Sequence, residues 1–101
     1  MEELRGLGGD ALYASFVYRA LGNARDRLAD LDSARDRADP HAWVESLHAL
    51  HGVVLTLGGV RFSQAIRPVL DIPPALLPEQ MSRWQEVFAT RFAALEAALA
   101  D

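Results

Sequence analysis

Asp39-Pro40-His41-Ala42-Trp43-Val44-Glu45-Ser46-Leu47-His48-Ala49-Leu50-His51-Gly52-Val53-Val54-Leu55-Thr56-Leu57-Gly58-Gly59 is where this chain declares its architecture. Aspartate is a good helix N-cap, and proline suits the first helical position, where its missing N–H is no loss. Glycine is the residue that most often ends a helix, so Gly58-Gly59 supplies the stop. In between, Trp43, Leu47, Leu50, Val54 and Leu57 recur at spacings of three and four. On a helix turning about 100° per residue they fall in one narrow stripe, which must face a core. His48 then lies roughly 140° from the centre of that stripe and Gly52 roughly 180° from it. His48 points at water, and the surface one turn beyond it carries no side chain. A mid-helix glycine costs about 1 kcal/mol against alanine. Room for a bulky group on His48, or for a partner that must approach it closely, would account for that cost.

The segments on either side read as helices too. Upstream, Asp10 is a suitable N-cap, and Leu12, Phe16, Ala20 or Leu21, Ala24, Leu28 and Leu31 recur at helical spacing. A long helix over about residues 11–37 is expected, weakened near Gly22-Asn23. Its second half mixes Arg25, Asp26, Arg27, Asp30, Asp32, Arg35, Asp36 and Arg37, which reads as a solvated face with i,i+4 pairs. Residues 1–6 suggest a short helical lead-in, ended by Gly6, Gly8 and Gly9. Downstream, a third and shorter helix is expected over residues 61–67, with Pro68 ending or kinking it. Residues 72–77 contain Pro73 and Pro74 and read as a loop. Pro78 is expected to open the last helix, with a stripe of Met81, Trp84 or Gln85, Phe88, Phe92, Leu95 and Leu99. No strand pattern competes. Short connections between amphipathic helices imply an all-α fold, an antiparallel up-and-down four-helix bundle with a short lead-in helix.

Composition narrows the function classes. A chain of 101 residues is one domain with a single modest core. The net charge of −4 argues against a general affinity for nucleic acid, which needs a basic surface. Cysteine is absent, which removes disulfides and thiolate chemistry and fits a reducing cytoplasm. No apolar run approaches the ~20 residues that span a bilayer, and the N-terminus lacks a secretory apolar segment. The apolar stripes are used up by one bundle, so a monomer is expected.

The pattern His48-x-Leu50-His51-Gly52, followed by Leu57-Gly58, resembles the phosphoacceptor helix of histidine-containing phosphotransfer (HPt) domains. These are the relay modules of multistep two-component signalling. The likeness extends upstream. Leu7-Gly8-Gly9-Asp10, with Leu12, Phe16 and Leu28, resembles the family's entry into its first long helix, and Asp39 and Ala42 resemble the start of its phosphoacceptor helix. Nearly the whole chain can be laid on the family pattern, but only residues 48–58 are specific. The resemblance implies that His48 accepts a phosphoryl group from a receiver-domain aspartate and passes it to another receiver. The chain would work as a free-standing relay protein or as the C-terminal domain of a hybrid sensor kinase. It also implies that the receiver brings Mg²⁺, while this chain holds no cofactor. The chain departs from the family at His51, where a lysine is usual, at Val53, where a small polar residue is common, and over residues 70–78, where the third helix is usually longer.

The chemistry of the residues is compatible with that role. A solvated histidine with an ordinary pKa near ~6.5 is mostly neutral at pH 7 and nucleophilic towards phosphorus. The chain has no GxxxxGK[ST] loop and no kinase-type nucleotide motif, so it is not expected to use ATP itself. His51 would donate a hydrogen bond to the phosphoryl oxygens less effectively than lysine. Gly52 would give clearance. His41, Leu55, Arg61 and Phe62 would line a docking surface around His48, and a degenerate HPt-like module could use that surface to hold a receiver or another partner without chemistry. His41, Glu45, His48 and His51 also stand at spacings that place ligands on adjacent turns. However, a bare surface helix lacks the supporting shell of a native metal site, and none is expected.

Overall fold

The computed structural model describes residues 10–100. The described chain is helical, with α1 at Asp10–Asp36, α2 at Pro40–Thr56, α3 at Val60–Leu70 and α4 at Met81–Ala100, plus a 3₁₀ turn at Pro74–Leu76. No strand occurs among the described residues. The lead-in helix expected over residues 1–6 and the glycines at positions 8 and 9 lie outside the described residues.

The ends of α2 form as the sequence expects. The Asp39 carboxylate accepts a hydrogen bond from the Ala42 backbone N–H at 3.1 Å, and Pro40 occupies the first turn. At the other end Gly58 adopts a left-handed conformation (φ 73°) and the Gly59 N–H returns to the Val54 carbonyl at 2.9 Å. This is the wrapped helix end that glycine permits without steric cost. The end of α1 uses the same geometry with a different residue. There Ala38 takes the left-handed position (φ 53°) and the Asp39 N–H reaches the Ala34 carbonyl at 2.9 Å.

Each helix packs on its neighbour in sequence, and α1 also packs on α4, so the elements close into a helical bundle. Trp43, Leu47, Leu50 and Val54 of α2 are fully buried, as their stripe demands. They meet Ala24, Leu31 and Ala34 from α1, Phe62, Ile66 and Val69 from α3, and Met81, Phe88 and Phe92 from α4. Phe88 sits at the middle, its ring centroid 6.3 Å from Trp43, 6.2 Å from Phe62 and 6.3 Å from Trp84. A polar chain crosses this core. The Trp43 indole N–H donates to Gln85 Oε1 at 2.9 Å, and the Gln85 amide N–H donates in turn to the Asp32 carboxylate, linking α2, α4 and α1.

Three expectations about elements need correction. Leu12 and Phe16 do not belong to the core: they are 74% and 47% exposed, and Val17 is the buried residue in that part of α1. The reason is length. Phe16, Ala20 and Asn23 of α1 share a surface hollow with Val53 and Thr56 at the end of α2, so Phe16 stands at the rim of the packed part and Leu12, one turn earlier, lies beyond it. Pro68 neither ends α3 nor separates it from Val69 and Leu70, which stay helical. It stands in the final turns, where one missing donor is tolerated while Val69 is buried on the core side. The last long helix begins at Met81, and Pro78 lies in a turn where the Gln80 and Met81 N–H groups both return to the Leu77 carbonyl. The mixed charges of α1 form surface pairs, Arg27 with Asp30 at 2.9 Å and Arg25 with Glu96.

Candidate functional site

The solvent face of α2 is a continuous strip. His41, Glu45, His48, Gly52 and Leu55 succeed one another every three or four residues, and all five are exposed. This strip lies opposite the buried Trp43–Leu47–Leu50–Val54 face, which fixes it against the bundle. His48 is at its centre. A methyl group built on Gly52 would meet nothing within 4 Å, so no packing contact requires glycine there. Leu55 is 55% exposed one turn further on, and the Thr56 hydroxyl, beside it, donates to the Gly52 carbonyl at 2.9 Å.

His51 departs from this strip towards α3. It is half-buried, and its Nε2 shares a hydrogen bond of 2.8 Å with the hydroxyl of Ser63, itself only 5% exposed. Burial, the nearby Arg67 guanidinium and His48 together hold the His51 pKa below the ordinary histidine value of 6.5. The ring therefore favours the neutral form at pH 7. Its surroundings differ from those of a freely solvated donor.

The expected docking residues divide. His41, Leu55 and Arg61 are exposed. Phe62 is not: it is 2% exposed and stacks on Phe88, so it belongs to the core and cannot meet a partner. The first turn of α3 carries Arg61 outward and Phe62 inward, a facing that one residue past a glycine pair does not disclose. Two residues outside the expected set join the site instead. Ser63 bonds His51, and Arg67, one helical turn beyond Ser63 on the same side of α3, contributes to the charge around it. The signal for them was the i,i+4 spacing of Ser63 and Arg67, legible only once α3 is faced against α2.

Among the described residues no three His, Asp or Glu side chains converge as metal ligands do. No helix among them is long and apolar enough to cross a membrane. The chain matches no protein-family model, no curated protein and no solved structure.

Proposed function

We propose that the chain is a phosphorelay intermediate of the HPt type, built on an antiparallel up-and-down bundle, with His48 as the phosphoacceptor. The observation that carries this reading is the pairing of an exposed His48 with open space at Gly52 on a helix whose opposite face is locked in the core. A rigid, approachable imidazole is what phosphoryl transfer asks of an acceptor, because the reaction depends on in-line approach and positioning. In the forward step a neutral ring nitrogen of His48 attacks the phosphorus of a receiver's aspartyl phosphate. The N–P bond forms, the P–O bond to the aspartate breaks, and the carboxylate leaves with the electron pair. No proton need move. The receiver supplies Mg²⁺ and most of the groups that stabilise the transferring oxygens, and a second receiver takes the phosphoryl by the reverse chemistry. The chain carries no ATP site of its own and acts in the cytoplasm, either free-standing or as the cytoplasmic end of a hybrid sensor kinase.

The test is incubation with a receiver domain carrying a labelled phosphoryl group. Acid-labile, base-stable label on His48, lost in His48→Gln, supports the proposal. A second reading is favoured by the hydrogen-bonded, neutral state of His51: the domain docks a receiver on the His48–Gly52–Leu55 strip without accepting phosphate. Under that reading the receiver binds and His48 stays unlabelled.

A further inference from the structure

We infer that Arg67 of α3 supplies the positive charge that pairs with a phosphoryl group on His48, doing from the neighbouring helix what a lysine at position 51 would do from α2. The inference rests on the proposed phosphoryl transfer.

The geometry comes from the way α2 and α3 lie together. Gly59, the N-cap residue of α3, abuts Val54, and Ser63 bonds His51 at 2.8 Å. Contacts thus step back along α2 as they step forward along α3, one turn against one turn. The next turn sets residue 67 level with residues 47 and 48. Leu47 faces the core and His48 faces water, and Arg67 is likewise exposed while its neighbour Ile66 is buried. The exposed pair at this level is therefore His48 and Arg67. His51 lies within the electrostatic reach of both Arg67 and His48, so the three side chains share one neighbourhood.

Among the described residues, the chemistry then leaves Arg67 as the candidate cation on this side of the site. His51 has its ring engaged with Ser63 and disfavours the proton that would charge it. Arg67 is charged at any physiological pH, and among the described residues it makes no ion pair with a carboxylate. Its planar fork of donors matches two phosphoryl oxygens at once, and its long stem carries the head across the groove between the helices. The His51–Ser63 bond has a separate role, tying α2 to α3 at the level that brings the two groups together.

The test must read Arg67 apart from the relay, so His48 is phosphorylated chemically with phosphoramidate, which needs no receiver. Wild-type chain, Arg67→Ala and Arg67→Lys are compared by ³¹P NMR and by the lifetime of the label. In wild type the guanidinium favours the dianionic phosphoryl, so its titration midpoint lies lower than in Arg67→Ala. The lifetime falls at least threefold in Arg67→Ala, and Arg67→Lys lies between the two. Transfer from a charged receiver falls at least tenfold in Arg67→Ala, with the melting temperature unchanged because Arg67 is exposed. Identical phosphoryl titrations and lifetimes in wild type and Arg67→Ala overturn the inference, as does failure of phosphoramidate to label His48. Should phosphoramidate label His48 and show the Arg67 effect while no receiver transfers, the relay reading fails and the Arg67 contact stands.

Discussion

Gly52 separates stability from function at the scale of one residue. Nothing in the fold touches the place where its side chain would be, and its backbone is ordinary helix. Gly52→Ala should therefore stabilise the chain by up to about 1 kcal/mol, through helix propensity and a less flexible unfolded state. Gly52→Gln should stabilise it nearly as well, seen as a higher melting temperature. The longer side chain would nonetheless stand one turn from His48, where under the proposed relay function a receiver's active-site loops would close. Phosphoryl transfer should slow at least tenfold, a barrier of about 1.4 kcal/mol. A variant that is more stable and transfers at the wild-type rate would show that Gly52 is no clearance. His51 gives a different signature. Its folded-state pKa is depressed, so the unfolded chain binds the proton more tightly. Its contribution to stability is complete above its unfolded value of about 6.5 and drains away as pH falls through the lower folded value. The melting temperature of wild type should thus drop between pH 7.5 and 5.5 by more than that of His51→Gln, whose amide can still bond Ser63 but cannot titrate. Equal drops in the two proteins would mean that the depressed His51 pKa has no energetic weight.

At the scale of the element, the two helix ends that flank α2 make a controlled comparison. Both are wrapped by a residue with positive φ, Ala38 before α2 and Gly58 after it. An alanine in that conformation costs roughly 1–2 kcal/mol, and glycine returns part of the gain through its floppier unfolded state. Ala38→Gly should stabilise by about 0.5–1 kcal/mol and Gly58→Ala should destabilise by about 1 kcal/mol, both measured by urea unfolding. Gly59→Ala should cost more, about 1–3 kcal/mol, because the added methyl would sit 2.9 Å from Val54 Cγ1 and 3.2 Å from Leu95 Cδ2. These ends also show what sequence discloses. The start and stop of α2 were legible because Asp39, Pro40 and Gly58 are each specialised for their conformation. The end of α1 had no such mark, since alanine there is a tolerated misfit. The facing of His48 was legible because α2 is packed along its whole length, so one buried stripe fixes the opposite strip. Phe62, Ser63 and Arg67 were not, because their roles depend on how α3 is rotated against α2, and eleven residues of α3 contain no residue that sets that rotation alone.

The whole molecule adds a constraint that no single helix reveals. α1 is 27 residues long, against 17 for α2 and 20 for α4, and the molecule extends 52 Å in one direction and 21 and 18 Å in the others. Periodicity treats Leu12 and Leu31 alike, yet only Leu31 has neighbours to bury it. Among the described residues, a buried polar chain runs from Trp43 through Gln85 to Asp32 and adds direction-dependent bonds to the apolar packing of α2, α4 and α1. Gln85 is 8% exposed and uses both ends of its amide. Gln85→Leu keeps the volume but leaves the Trp43 N–H unpaired away from water, which should cost about 1–3 kcal/mol. The Asp32 carboxylate is exposed and can turn to solvent, so the penalty falls on the indole. Adding Trp43→Phe to the Gln85→Leu variant removes that orphaned donor and leaves an apolar pair. The double variant should therefore be more stable than the sum of the two single losses predicts, by at least about 0.5 kcal/mol in urea unfolding, the coupling expected of residues in direct contact. Strict additivity would mean that the hydrogen bond adds nothing to the packing of the tryptophan ring, and that shape alone sets the register of α2 on α4.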